Sequence, residues 1–143
     1  MFGRSKALAF AVALTACGAS ISSQSPAFTV TELANFDVPW AMEFLPDGRL
    51  LVSELRGALK LYAPGGAITE VRGVPEVSYG GQGGFSEVVL HPNFADNGLV
   101  YMSYAEAGDG DTRGAAVARA KLALDGSGGE LTDLQVIWRQ VPK

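Results

Sequence analysis

The sequence predicts an all-β fold, a partial β-propeller of about two blades. Three observations predict it. From Phe28 onward no stretch sustains a 3.6-residue apolar period; short apolar or alternating segments, the signature of strands, follow one another instead. Turn chemistry separates them at Pro46-Asp47-Gly48, Pro64-Gly65-Gly66, Asn97-Gly98 and Asp125-Gly126, each with Gly where a tight turn takes a positive φ. Finally, one pattern occurs twice: Phe44-Leu45-Pro46-Asp47-Gly48-Arg49-Leu50-Leu51-Val52-Ser53 lines up with Leu90-His91-Pro92-Asn93-Phe94 and, after a short insertion, Gly98-Leu99-Val100-Tyr101-Met102-Ser103.

The strands are expected near 28–33, 40–45, 49–54, 58–63, 68–72, 85–90, 99–104, 115–123 and 133–139. The repeat has an offset of about 46 to 50 residues, the length of one four-stranded propeller blade. Two blades cannot close a ring, and such units need neighbours to bury their faces, so the pattern reads as part of something larger. A complete small sandwich or barrel of eight or nine strands is the rival architecture.

Ahead of these strands, Arg4 and Lys6 precede the apolar run Ala7 to Leu14 with no acidic residue among them, the layout of a signal peptide. The run is too short for a stable membrane-crossing helix. Leu14-Thr15-Ala16-Cys17 resembles the lipobox of bacterial lipoproteins, in which the cysteine is lipidated and becomes the mature N-terminus. Cys17 is the only cysteine, so no internal disulfide can form, and lipidation accounts for a lone exported thiol. An ordinary secretory signal with an incidental cysteine is the alternative. The expected organisation is a lipoprotein signal peptide over 1–16, a polar tether over 17–27 and a propeller domain over 28–143. Gly18 and Ala19 include no aspartate, which in the rules for Gram-negative lipoproteins implies release to the outer membrane; the expected location is periplasmic, with membrane contact through the lipid anchor only.

Removing residues 1–16 from the 143 leaves 127 and takes Arg4 and Lys6 from a net charge of −4, leaving −6. An acidic surface argues against nucleic acid as a partner.

The most unusual local composition is Tyr79-Gly80-Gly81-Gln82-Gly83-Gly84-Phe85. Glycines leave backbone amides open to close approach, and Gln82 brings a side-chain amide that both donates and accepts, as sugar hydroxyls require. A glycine-rich turn with Gln82 merely solvated is the plainer reading. A dinucleotide-binding turn is excluded, because Phe85-Ser86-Glu87-Val88-Val89-Leu90 is strand-like and offers no helix N-terminus.

Taken in order, Val38-Pro39-Trp40-Ala41-Met42-Glu43-Phe44-Leu45-Pro46-Asp47-Gly48-Arg49, Gly73-Val74-Pro75-Glu76-Val77, Gly81-Gln82-Gly83-Gly84, Leu90-His91-Pro92-Asn93-Phe94, Tyr101-Met102-Ser103-Tyr104 and Trp138-Arg139-Gln140 resemble the opening of the glucose/sorbosone dehydrogenase family. The resemblance implies the N-terminal part of a six-bladed propeller that binds pyrroloquinoline quinone (PQQ) and calcium and oxidises the C1 hydroxyl of aldose sugars to lactones. It implies a reaction in which a base takes the hydroxyl proton, hydride passes to the quinone and calcium polarises the cofactor, with an electron acceptor that the sequence does not name. It places the family's substrate-binding glutamine on Gln82. Phe85-Ser86-Glu87 departs from the family's usual pattern, which leaves substrate preference open. The family's catalytic histidine would follow a pair like Pro142-Lys143, and its cofactor-clamping basic residues and calcium ligands would lie in later blades, so residues 1–143 are expected to hold no catalytic residue and no metal ligand and to be inactive alone. The alternative function is a non-catalytic propeller lipoprotein that binds carbohydrate or a protein partner.

The remaining chemistry-bearing residues have plainer readings. His91, the only histidine, ends an apolar strand before Pro92 and is expected to be structural. Gly108-Asp109-Gly110-Asp111-Thr112 lacks the glutamate and spacing of a calcium loop and is expected to be a hydrated connection. Trp40 and Trp138 are expected in the core, and Glu54 with Arg56 as a surface pair.

Overall fold

The computed structural model describes residues 27–126 and 128–143. A first unit reaches Thr31; Glu32–Lys143 forms a second, which holds every strand. The signal segment and Cys17 lie outside the described residues.

Eight strands make up the second unit: β1 (Pro39–Phe44), β2 (Leu50–Glu54), β3 (Ala58–Tyr62), β4 (Ile68–Arg72), β5 (Phe85–Leu90), β6 (Leu99–Ala107), β7 (Arg113–Leu124) and β8 (Gly129–Arg139), with a one-turn helix α1 (Phe94–Asn97) between β5 and β6. Each consecutive pair within β1–β4 and within β5–β8 is antiparallel, so the chain forms two four-stranded meanders, the two expected blades. A short parallel contact, Val71 and Arg72 of β4 beside Gly129 and Glu130 of β8, joins them at one corner. The fold is a partial β-propeller.

Side-chain alternation sorts each blade into two faces. Leu51, Leu59, Leu61 and Val71 of the first blade pack on Val88, Val100, Met102 and Ala118 of the second, all buried. Alanines at 116, 118 and 120 keep β7 low enough for the sheets to approach. Backbone bonds also cross the interface: Phe85 N donates to Leu55 O at 2.9 Å, and Ser53 Oγ, itself accepting from Ala41 N, donates to Ser86 O at 2.8 Å.

Turn chemistry acted as expected at Gly48 (φ +86°) and Gly98 (φ +64°), which caps α1. Gly126 does not take a positive φ. Its turn is closed instead by Asp125, whose Oδ1 accepts from Gly128 N at 2.6 Å. Two strand expectations need larger corrections. Residues 28–33 alternate like a strand but form none, since no neighbouring strand pairs with them among the described residues. Trp40 and Trp138 are each 53% exposed, because both lie on the faces of the blades that point away from the core.

Candidate functional site

The loop from Gly73 to Gly84 crosses from β4 to β5 and is fastened to both blades. Ser78 N donates to Ala105 O at 2.8 Å, and Arg113 Nε donates to Ser78 Oγ at 3.0 Å. Gly84 lies so close to the first blade that a Cβ there would meet Leu55 O at 2.1 Å. Glycine is the residue that fits.

Between these fastenings, Gly80 and Gly83 exchange two backbone hydrogen bonds, 2.9 and 3.0 Å, and close a two-residue turn over Gly81-Gln82. Gly81 has φ +60°, the positive value that a tight hairpin turn of this kind needs at its first central residue. Gln82 is therefore exposed at the tip of a turn whose backbone is held on both sides. The turn's glycines help line a cleft of about 460 Å³, together with Ser86, Ser103, Tyr104, Arg113 and Gln140. That volume falls within the usual range for small-molecule sites, and its hydroxyl, amide and guanidinium groups suit a polyhydroxylated guest.

The electrostatics of this end are set by a few ions. Arg139 and Lys143 both donate to Glu106 Oε2, and they hold its carboxyl below the usual carboxylate range. Burial, reinforced by the Glu106 charge, pushes the Tyr104 hydroxyl up, so at neutral pH it remains a protonated donor. Arg56 stacks its guanidinium 5.1 Å from the centre of the Tyr79 ring and pairs with Asp37 at 3.2 Å. This corrects the expected Glu54–Arg56 surface pair. Glu54 is 7% exposed, accepts from Asp37 N at 2.8 Å and has Lys60 at 3.8 Å, because it closes the end of β2 where the chain enters β1.

His91 is at the opposite end of β5 from the Gln82 loop. Its Nδ1 accepts from Asn93 N at 3.0 Å and contacts Asn97 Nδ2, while the ring stacks on Tyr101. It organises the turn into α1, as expected of a structural histidine. The Gly108–Thr112 connection is closed by its own bonds, Thr112 Oγ1 donating to Asp109 O at 2.8 Å. Sequence reasoning missed Ser103, Tyr104 and Arg113 as cleft residues. A signal for Ser103 existed, since Val52-Ser53 and Met102-Ser103 are equivalent in the repeat.

The sequence model of one family, glucose/sorbosone dehydrogenase, matches residues 36–143, three quarters of the chain and both blades. The chain belongs to the glucose/sorbosone dehydrogenase family. Among curated relatives of this glucose/sorbosone dehydrogenase chain, aldose sugar dehydrogenase YliI of Escherichia coli K12 is 41% identical over 109 residues, which are 75% of this chain and 29% of that protein. A crystal structure of a glucose dehydrogenase superposes with a TM-score of 0.75 at 39% identity, covering 80% of this chain and 34% of that one. The PQQ-bound aldose sugar dehydrogenase of Streptomyces coelicolor superposes with a TM-score of 0.66 at 29% identity, over 80% of this chain and 34% of that one. The chain spans less than a third of the curated relatives it matches.

Proposed function

We propose that this chain supplies the first two blades of a PQQ-dependent aldose sugar dehydrogenase, and that Gln82 binds the sugar whose C1 hydroxyl is oxidised to the lactone. The observation that carries the reading is Gln82 itself: a two-ended amide, exposed at the tip of a turn closed by two backbone hydrogen bonds, whose glycines line a cleft, in a family with a PQQ-bound relative. A rigid turn limits the entropy lost when the amide engages a hydroxyl.

The quinone and calcium that the family reading implies would supply the hydride acceptor and its polarisation; none of the described residues is assigned to either. No three His, Cys, Asp or Glu side chains converge on a metal position among them. Arg56 and Arg113, the cations beside the loop, are engaged by Asp37, Tyr79 and Ser78. The part proposed for this chain is confined to the sugar: Gln82 orients a hydroxyl, and the proton acceptor comes from outside residues 1–143.

Export and lipidation at Cys17 form the second half of the proposal. The charge pattern of residues 1–16 and the lone cysteine support it. Labelling cells with a radioactive fatty acid should mark the protein, and Cys17→Ser should abolish the label while leaving an exported protein.

The kinetic test is Gln82→Ala in a full-length protein carrying this chain. Because Gln82 is exposed, thermal stability should be unchanged, while kcat/KM for aldoses should fall about tenfold or more. Sugar binding without turnover in the unaltered protein would instead identify the non-catalytic propeller.

A further inference from the structure

Both limbs of the Gln82 loop are bonded to one residue of β6. Ala105 O accepts from Ser78 N at 2.8 Å on the way into the turn, and Ala105 N donates to Gly84 O at 2.8 Å on the way out. Between these points the backbone is closed by the two bonds that Gly80 and Gly83 exchange. Four glycines surround Gln82, and glycine has more backbone freedom to lose than any other residue. Two bonds between glycines are a weak hold on a side chain that has to meet a hydroxyl in one place. A further contact stiffens the entering limb.

That contact comes from Arg113, the first residue of β7, which the β6–β7 register sets opposite Ala107. Its Nε donates to Ser78 Oγ at 3.0 Å. Its guanidinium also lies flat on Gly80: a Cβ added there would be 2.8 Å from Cζ and 3.0 Å from each Nη, nearly equal distances that place the plane face-on. Gly80 does not take a positive φ, so its backbone conformation does not call for glycine; the guanidinium against it does. What Arg113 brings is a planar fork whose edge donates while its face stacks, which a lysine ammonium cannot do at once.

We propose that Arg113 is a positioning residue for Gln82: it pins Ser78 and Gly80, so that the Gly81-Gln82 turn presents the amide in one place, and it acts on the sugar only through that amide. The inference rests on Gln82 as the sugar-binding residue. A loosened turn still reaches the binding arrangement, but for a fraction of the time, and apparent affinity falls by that fraction. Without the Gln82 amide, Arg113 has nothing left to position.

Two measurements on a full-length protein carrying this chain test it. The first is amide hydrogen exchange without sugar. Arg113→Ala should speed exchange of the Ser78, Gly80 and Gly83 amides about tenfold, and leave Leu122 N, bonded to Gly98 O at the far end of the blade, at its parent rate. Gly80→Ala, which displaces the same guanidinium from the loop side, should speed exchange at Ser78 as well. The second is a kinetic cycle. In Arg113→Ala and Arg113→Lys alike, kcat/KM for an aldose should fall about fivefold, and Arg113→Ala should add nothing to the loss in Gln82→Ala. Unchanged exchange at the three amides, an equal rise at Leu122, parent activity in Arg113→Lys, or losses that multiply in the double variant would each overturn the role of Arg113. A Gln82→Ala protein with the parent's kcat/KM would sink the sugar reading of Gln82 and the positioning role with it; exchange tells that failure from the others, since the turn would still loosen.

Discussion

At the scale of single residues, the loop that carries Gln82 is placed by atoms that have no chemistry of their own. Gly84 is the clearest case, since a methyl there would occupy the position of Leu55 O. Gly84→Ala should cost about 1–3 kcal/mol, the range for overpacking, and urea unfolding should show a lower midpoint with an unchanged slope. Ser53 is the polar counterpart. Removing its hydroxyl leaves Ala41 N and Ser86 O without their partner inside a buried interface, so Ser53→Ala should lose about 1–3 kcal/mol by the same measurement. Gln82 was legible in the sequence because four glycines around one amide are unusual and because the family motif falls on it. Tyr104 and Arg113 were not legible: their place in the cleft depends on register between β6 and β7, which no local pattern encodes. The tryptophans misled for a related reason, since an apolar residue in a strand shows that it has a face but not whether that face is covered.

Among the elements, β6 and the end of β8 are tied by charge where the blade has little apolar burial. Glu106 carries its proton less readily when folded than when unfolded, held by Arg139 first and Lys143 second. The stability it contributes is therefore present above the unfolded glutamate pKa and is lost as pH falls through the lower folded value. Unfolding midpoints should drop on acidification below about pH 4, and Glu106→Gln should make that drop shallower. Asp47 behaves with the same sign through its hydrogen bonds from Arg49, on the β1–β2 turn. Seven of the nine expected strands and the turns that separate them were readable from alternation, Pro and Gly, β4 and β5 at their observed bounds and the others with an end shifted by one to three residues, and an eighth, β8, starts at Gly129 and not near 133. Residues 28–33 failed because alternation describes a strand's side chains and says nothing of its hydrogen-bonding partner. The one-turn helix α1 escaped notice because four residues are too few to show a helical period.

At the scale of the whole molecule, a repeat of 46 to 50 residues became two meanders that share a core, and the comparison with known proteins placed both in one enzyme family. The faces that the blades turn outward carry large apolar side chains, as expected of a module whose neighbours repeat its own packing. The central claim is that this chain is part of a quinone-dependent aldose dehydrogenase. The most direct measurement is aldose oxidation by the full-length protein with a dye acceptor, with and without added PQQ and calcium. We predict oxidation of the sugar to its lactone that appears only with the quinone; a folded, quinone-supplied protein that oxidises no aldose would contradict the account.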